Sequence, residues 1–561
     1  VVTFDWRHDA PRTLDDPAWE TFSANEFVVL VVARTLTSAY RLLEAVEWFR
    51  DDFRIRLVFT ADATSAFSSG VLDLLGSSGV RLVDWEQVRA RTFRYHLVLT
   101  ASENIDFDAL DAHAVLLPHG LGFNKLVPSG EGADRLAGLP PTRALRAGKV
   151  TVALSHPEQR DQLLTANPET AGHTAIVGDP TFDRLHASRA LRHRYRESLG
   201  TGDRTLVAVA STWGKQSLIG RRPSLPAELL AAIDADSYQV VLVLHPNVWA
   251  RYGKLQIELW LSSALAAGLI LMPPESGWQA ALIASDQVIS DHGSLALFAA
   301  ALDRPLLLAG RAPETVPGTP TDDLAKAVPT LLSGTDLRPQ LESARQSHRP
   351  GSYAHITDRV FSHVGDATRN MRNLLYRELG ATPPSHPNPL ARIPIPQARA
   401  RTVTSYVVQN AAATGPTLTL VRFPASVWRD PEDGEIETHV VADESEADPT
   451  ILERAAAVTR DLPLNPSQAH RWAQSALSAY PGARLAITAT PDGALAVLRG
   501  GGTVRVITES DPSANVQLLA SAIYCCLIDR SLTDRLVTIQ AGTTTLTAEL
   551  ILDPSPDAAP R

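Results

Sequence analysis

Four short stretches place chemically capable side chains directly after apolar runs. Residues 114–120 read AVLLPHG, which sets His119 beside Gly120. Residues 205–212 read TLVAVAST, so Thr212, Trp213 and Lys215 follow a strand-like run. Residues 239–246, QVVLVLHP, end on His245 and Pro246. In QVISDHGSLALFAAA, Asp291, His292, Gly293 and Ser294 bridge a short strand pattern and an apolar helix pattern. A histidine in a glycine-containing loop can take a proton from a hydroxyl near neutral pH, so His119 is the candidate base. Gly293 lets a ligand approach the backbone, and Ser294 is expected to cap a helix running to Ala301. The free N–H groups and positive dipole of such a helix start suit a phosphate. Each feature also has a plain structural reading. The first is a loop histidine, the last is an ordinary N-cap, and Pro246 simply ends a strand where His245 would otherwise donate to a phosphate. Lysine occurs only at Lys125, Lys149, Lys215, Lys254 and Lys326, and two of these, Lys125 and Lys215, fall in the loops that follow the first two stretches. A compact ammonium that arginine cannot imitate is one reason for that placement.

The elements that must carry these loops are legible. FVVLVVAR (27–34) is a continuous apolar run, as expected of a strand buried on both faces. Thr35, Thr37 and Ser38 can cap the helix pattern that follows. Strand patterns recur at 54–62, 96–102, 114–120, 149–155 and 173–180. After the basic helix LRHRYRESLG (191–200), a second series occupies 205–212, 239–246, 268–274, 287–290 and 305–310. Strands alternating with helices mean βαβ units and parallel sheets. The expected class is α/β: two Rossmann-like domains facing a cleft, plus a C-terminal α+β domain. The expected boundaries are an extension over 1–25, domains over 26–190 and 191–378, a proline-rich linker over 379–400, and an acidic domain over 401–561.

The chain has 561 residues, 44% hydrophobic and 20% charged, which is the balance of an ordinary globular protein. Its net charge of −10 argues against a general nucleic-acid binder. No run approaches the ~20 apolar residues of a membrane span. The polar first residues carry no signal-peptide core, and the initial Val fits an alternative start codon or a processed chain. With two adjacent cysteines, Cys525 and Cys526, no disulfide framework is possible, and the cytoplasm is the expected compartment. Both sit in the apolar pattern SAIYCCLIDR and read as core. No CxxC, HExxH, GxxxxGK[ST] or GxSxG pattern occurs, so neither a metal nor a resident cofactor is expected.

The segment 381–397, ATPPSHPNPLARIPIPQ, holds six prolines and reads as a stiff extended linker. Beyond it come an acidic stretch at 430–448, a helix pattern at 467–480, and three antiparallel strand patterns around a Pro491-Asp492-Gly493 turn. A helix at 514–528 and a final strand pair complete this region. It is expected to fold by itself and to contribute no catalytic group. The glycines at 500–502 read as a hairpin loop.

Taken in order, the four loops resemble the CDP-glycerol glycerophosphotransferase family, the teichoic-acid polymerases and primases of the GT-B architecture. PHGLGFNK stands for a W-H-G-T-P-x-K-type loop, STWGK for a strand followed by T-W-R, and VLHPN for R-P-H-P. ASDQVISDHGS with the downstream Asp303-Arg304-Pro305 stands for A-S-D-x-x-I-(S/T)-D-Y-S-S with D-(R/K)-P. VGDPTFDRL (177–185) resembles the G-x-P-(R/K)-x-D-x-L segment between the domains. The match spans roughly residues 25–375. His292-Gly293 replaces Tyr-Ser, Leu244 replaces the arginine before His-Pro, and Gly214 replaces the arginine after Thr-Trp. The UDP-N-acetylglucosamine 2-epimerases of the same architecture carry a comparable Asp-Ser/Gly-Gly turn.

The resemblance implies a transferase acting from a nucleotide-diphosphate donor, CDP-glycerol or a similar CDP-polyol, onto a hydroxyl acceptor, with cell-envelope polymer synthesis as the setting. The acceptor would be lipid-linked and the enzyme peripheral at the inner membrane face. His119 would be catalytic, and Thr212, Lys215, His245, Asp291, His292, Gly293 and Ser294 would bind the donor. A UDP-sugar glycosyltransferase or 2-epimerase, and a non-catalytic scaffold that kept the fold, are the alternatives.

Overall fold

The computed structural model describes residues 26–62, 64–65, 68–118, 120–127, 134–386, 390–429 and 437–553. The extension over 1–25, His119 and the first part of the acidic stretch lie outside them.

β1 (Phe27–Ala33), β2 (Ile55–Ala61), β3 (Leu97–Thr100) and β4 (Ala114–Leu116) come first. A short antiparallel pair follows, β5 (Leu126–Val127) with β6 (Arg135–Leu136), and then β7 (Val150–Leu154) and β8 (Thr174–Ile176). The first sheet runs β2-β1-β3-β4-β7-β8, all parallel. Leu82 bridges Phe59 in parallel on the outer edge of β2. Counting that bridge, the spatial order is that of a Rossmann sheet, reversing direction between β1 and β3.

The second sheet repeats the plan. β9 (Thr205–Ser211), β10 (Tyr238–Leu244), β11 (Ile270–Leu271), β12 (Gln287–Ser290) and β13 (Leu306–Leu308) lie in the order β11-β10-β9-β12-β13, again parallel. Leu308 bridges Thr330 beyond β13. The order reverses between β9 and β12. Val29 to Val32 in β1 and Leu206 to Val209 in β9 are fully buried, which is why their sequences are apolar without alternation.

The helix Ala367–Glu378 belongs by sequence to the expected second domain but packs on the first sheet. Met371, Leu374, Leu375 and Tyr376 join the core around β1 and β3. The Tyr376 hydroxyl donates to Asp52 at 2.7 Å. Helical periodicity marks that apolar face but carries no information about which sheet it will meet.

The described residues of the proline-rich segment form no helix or strand, yet they are seated along the second half. Ile393 is buried, its N–H donates to Ser188 Oγ at 3.0 Å, and its carbonyl accepts from the Tyr195 hydroxyl at 2.8 Å.

The C-terminal region contains β14 (Ser405–Thr414), β15 (Thr417–Pro424), β16 (Thr438–Asp443), β17 (Ala457–Arg460), β18 (Leu485–Thr490), β19 (Gly493–Leu498), β20 (Thr503–Thr508), β21 (Arg535–Ala541) and β22 (Thr544–Asp553). They close into a barrel, β14-β15-β21-β22-β20-β19-β18-β17-β16. The antiparallel run β18-β19-β20 matches the sequence reading. The closure does not appear in that reading, because it depends on parallel pairings of β15 with β21 and of β17 with β16 and β18. No local turn residue signals such long-range partners. At the Pro491-Asp492-Gly493 turn, Gly493 has φ +142°, and a Cβ there would lie 1.9 Å from the Val506 carbonyl oxygen, so only glycine fits. Both cysteines are buried in the helix Pro512–Ile528, and burial pushes the Cys525 thiol up to about 12. A thiol held protonated in this way is inert core.

This region docks on the second half through Asp236 and Arg422. The guanidinium donates to both carboxylate oxygens, at 2.9 and 2.6 Å, and lies 4.3 Å from the Tyr406 ring. Such bidentate pairs fix orientation as well as adding energy.

His439 gives the barrel a pH dependence. Its ring lies 4.4 Å from that of Tyr524, Nε2 has no hydrogen-bond partner, and burial pushes the imidazole down to about 4 from an ordinary 6.5. The folded form therefore resists a proton that the unfolded chain accepts. Above pH 6.5 the group has no effect, and its penalty grows as pH falls towards 4. We expect a loss of roughly 3 kcal/mol across that window. Chemical denaturation of wild type and His439→Leu at several pH values checks this, the variant lacking that part of the pH dependence.

Candidate functional site

In open parallel sheets, ligands bind beyond the carboxyl ends of strands where the strand order reverses. In the second sheet that point lies between the ends of β9 and β12, directly followed by Thr212 and Asp291.

Asp291 organises the crevice. It is 2% exposed, and its Oδ2 accepts from the backbone N–H groups of Thr212 and Leu218, both at 2.9 Å. Its Oδ1 accepts from Gly293 N–H at 3.0 Å. One carboxylate thus clasps the 212–218 loop to the 291–293 turn. Its geometry is that of a positioning residue, with both oxygens engaged inside the protein.

Ser294 departs from expectation. The helix is Ser294–Ala301, but the extended residue at the cap position is Gly293, with φ −76° and ψ 164°, and no side chain caps the helix. Ser294 is therefore the first helical residue. Its Oγ accepts from the Leu121 N–H at 3.0 Å, on the loop after β4. That contact joins the two halves. It also explains Gly120, where a Cβ would lie 2.8 Å from Ser294 Oγ. The first turn of the helix keeps N–H groups that no side chain covers, the usual setting for an anion. At Gly293 a Cβ would press within 3.2 Å of Asp291 Oδ1 and 3.3 Å of Thr212 Cβ.

His245 caps the helix Pro246–Trp260, its Nδ1 accepting from Asn247 N–H at 3.1 Å. When the ring is neutral, that bond places the proton on Nε2, which is then a donor. Pro246 opens the helix as well as ending the strand. The His245 ring lies 6.4 Å from that of Trp213. Lys215 is exposed in the 212–217 loop and has no ion pair among the described residues.

His292 turns inward. Its side chain is 7% exposed, with Nε2 3.3 Å from Glu314 Oε1 but not aligned for a hydrogen bond. Burial lowers its proton affinity; Asp291 and Glu314 oppose that shift, while Lys125 and Arg221 add to it. Lys125 reaches from the first half to the same Glu314 oxygen at 3.3 Å and lies 5.3 Å from the Trp213 ring centre. Backbone bonds reinforce the contact, Leu126 N–H to the Glu314 carbonyl at 2.8 Å and Val316 N–H to the Asn124 carbonyl at 3.0 Å.

The structure thus brings Thr212, His245, Asp291, Gly293 and Ser294 to neighbouring strand ends, and sets His292 behind them against Glu314. His119 lies outside the described residues. Sequence reasoning missed Glu314 and Arg221. Glu314 sits in an irregular stretch without periodicity, and Arg221 ends a one-turn helix, Leu218–Arg221, that no pattern announces. Among the described residues no group of three or more His, Cys, Asp or Glu could hold a metal ion. Among the same residues no helix is long and apolar enough to cross a membrane.

Ser294→Ala removes the acceptor that holds Leu121; if the crevice takes the nucleotide diphosphate that the loop resemblance implies, the expected result is an affinity about tenfold weaker. Gly293→Val should weaken it further by crowding Thr212 and Asp291. Calorimetric titration of both variants is the check.

No protein-family model matches this sequence, and no curated protein matches it. Among solved structures, the chain is similar to the wall teichoic acid polymerase TagF, at 11% identity and TM-score 0.42, over 64% of this chain and 89% of that one. It is also similar to MnaA of S. aureus in a co-structure with UDP, at 11% identity and TM-score 0.40, over 64% and 98%. A third is the UDP-GlcNAc 2-epimerase of Neisseria meningitidis bound to UDP-GlcNAc, at 15% identity and TM-score 0.39, over 63% and 99%.

Proposed function

We propose that this chain is a transferase that takes a group from a nucleotide-diphosphate-activated donor and places it on a hydroxyl acceptor. The observation that carries this reading is the uncapped start of the helix Ser294–Ala301 at the strand-order reversal of the second sheet. Residues 191–366 then form the donor side, residues 26–190 with the helix Ala367–Glu378 the acceptor side, and 401–561 a further domain outside the chemistry.

Phosphate oxygens would meet the free N–H groups of the helix start, the Nε2–H of His245 and the ammonium of Lys215. Thr212 and Gly293 would shape the crevice, and Asp291 would hold them in place. His119, assigned from sequence, would take the acceptor hydroxyl proton. With a CDP-polyol donor, the acceptor oxygen bonds to the β-phosphorus, the bond to the bridging oxygen breaks, and CMP leaves. With a nucleotide sugar, attack falls on the anomeric carbon and the nucleoside diphosphate leaves. Fixed donors aimed at the departing phosphate stabilise the charge that develops there. CDP-glycerol is the donor the loop resemblance favours, with an envelope polymer as product and a lipid-linked acceptor at the inner membrane face.

A scaffold role is the second reading. It is favoured by Leu244 and Gly214, which stand where the resemblance calls for arginines, and by Ser294 Oγ already holding Leu121. Arg221, on the same rim, supplies a positive charge that the resemblance does not provide. The deciding experiment incubates the protein with CDP-glycerol and with UDP-sugars, with and without a hydroxyl acceptor, and resolves the released nucleotides. CMP release supports phosphoryl transfer, and UDP release supports glycosyl transfer. Isomerised donor with no release indicates an epimerase, and an unchanged donor indicates a scaffold.

A further inference from the structure

A second cavity lies between the two halves. Its volume is about 170 Å³, below the range of pockets for drug-sized or nucleotide ligands, and right for one small ring or short chain. One wall is the loop after β4, through Gly122 and Asn124. The opposite wall is the 316–320 turn of the second half. Glu158, Gln159, Gln162, Arg359 and Val360 complete the lining.

The three amides share one feature. Each is fixed at one end by the protein and open at the other. Asn124 Nδ2 donates to the Leu121 carbonyl at 2.7 Å, and Gln162 Nε2 donates to the Phe123 carbonyl at 2.6 Å. Gln159 Oε1 accepts from Ser155 N–H at 2.9 Å. Asn124 Oδ1, Gln162 Oε1 and Gln159 Nε2 make no hydrogen bond among the described residues. The cavity is thus lined by two acceptors and one donor whose rotamers are already set.

Charge decides what such a lining selects. Arg359 is consumed by its neighbours, with Glu158 at 2.9 Å, Asp323 at 2.7 Å and the Gly318 carbonyl at 3.1 Å. Asp323 is also paired with Lys326 at 3.1 Å, so the charges beside the wall balance and Arg359, already held by Glu158 and Asp323, has no charge to spare for a phosphate. Hydroxyl groups, each both donor and acceptor, match pre-set amides without any charge.

We propose that this cavity binds a neutral polyhydroxyl compound, a sugar ring or short polyol. It lies on the same loop whose Leu121 N–H meets Ser294 Oγ. Taken with the transfer reading, it is the acceptor subsite; the binding itself does not depend on that reading. Ordered amides cost little entropy on binding, so a small ligand can be held with only a few bonds.

The test is ligand-observed NMR, with calorimetric titration, using glucose and ribitol against glucose 6-phosphate. The expected result is saturable binding of a neutral compound at millimolar concentration, and weaker binding of the phosphate. Gln162→Leu and Gly122→Leu should each weaken it about tenfold. Gly122→Leu guards against misfolding, because a Cβ there meets only Pro118 Cβ, at an ordinary 3.7 Å. No binding of either neutral compound at tens of millimolar would overturn the proposal. So would tighter binding of the phosphate, or binding indifferent to both substitutions. CDP and UDP titrated in parallel separate the two readings: nucleotide binding without polyol binding defeats only the acceptor subsite, and the reverse defeats only the donor site.

Discussion

His119→Ala should lower turnover by ~10²–10⁴-fold, with donor affinity nearly unchanged. The reasoning is chemical. A hydroxyl is a poor nucleophile until its proton leaves, and a base near its own pKa at neutral pH is worth that factor. Donor affinity should survive because the phosphate contacts proposed above all belong to the other half of the molecule. Among the described residues that follow it in sequence, Gly120 passes against Ser294 and the Leu121 N–H bonds to it. Steady-state kinetics with a calorimetric titration of the donor check both parts. Turnover at the wild-type rate would remove His119 from the mechanism, and lost affinity with intact turnover would move it to the donor site.

Asp291→Ala should cost more than any other single change in the crevice. Three backbone N–H groups from two loops converge on this buried carboxylate. Hydrogen bonds to a charged acceptor contribute ~1.5–3 kcal/mol each, and their donors would be left without partners. Some relaxation and water entry offset the loss, so we expect roughly 3–5 kcal/mol of destabilisation. Nucleotide affinity should fall by at least a hundredfold, because the 212–218 loop and the 291–293 turn lose their common anchor. Asp291→Asn is the informative intermediate. Its amide oxygen can still serve the Thr212 and Leu218 side, but its NH2 group then faces the Gly293 N–H. Denaturant unfolding and titration of both variants should therefore rank wild type, Asn and Ala in that order.

Much of the sheet architecture was legible because parallel strands buried on both faces are written as continuous apolar runs, as in 27–34 and 205–212. The strand ends that hold Thr212, His245 and Asp291 followed from those runs. What periodicity cannot report is the partner of an element. The helix Ala367–Glu378 shows its apolar face but not that this face meets the first sheet. The proline-rich segment announces extension but not that Ile393 is inserted between Ser188 and Tyr195. Ser294 was read as a cap from composition, whereas the cap position depends on which residue is extended, and that residue is Gly293. Contacts between the halves, such as Lys125 with Glu314, join residues far apart in the chain and have no local signature.

The central claim is that the crevice between the ends of β9 and β12 holds a nucleotide diphosphate. Calorimetric titration of the full chain with CDP, UDP and their glycerol and sugar conjugates tests it most directly. The account predicts saturable binding of at least one of them below millimolar concentration, weakened by Ser294→Ala and more so by Gly293→Val. Absence of binding by all of them at millimolar concentration would contradict the transferase and the epimerase alike and leave the scaffold. Binding that ignores both substitutions would contradict the location.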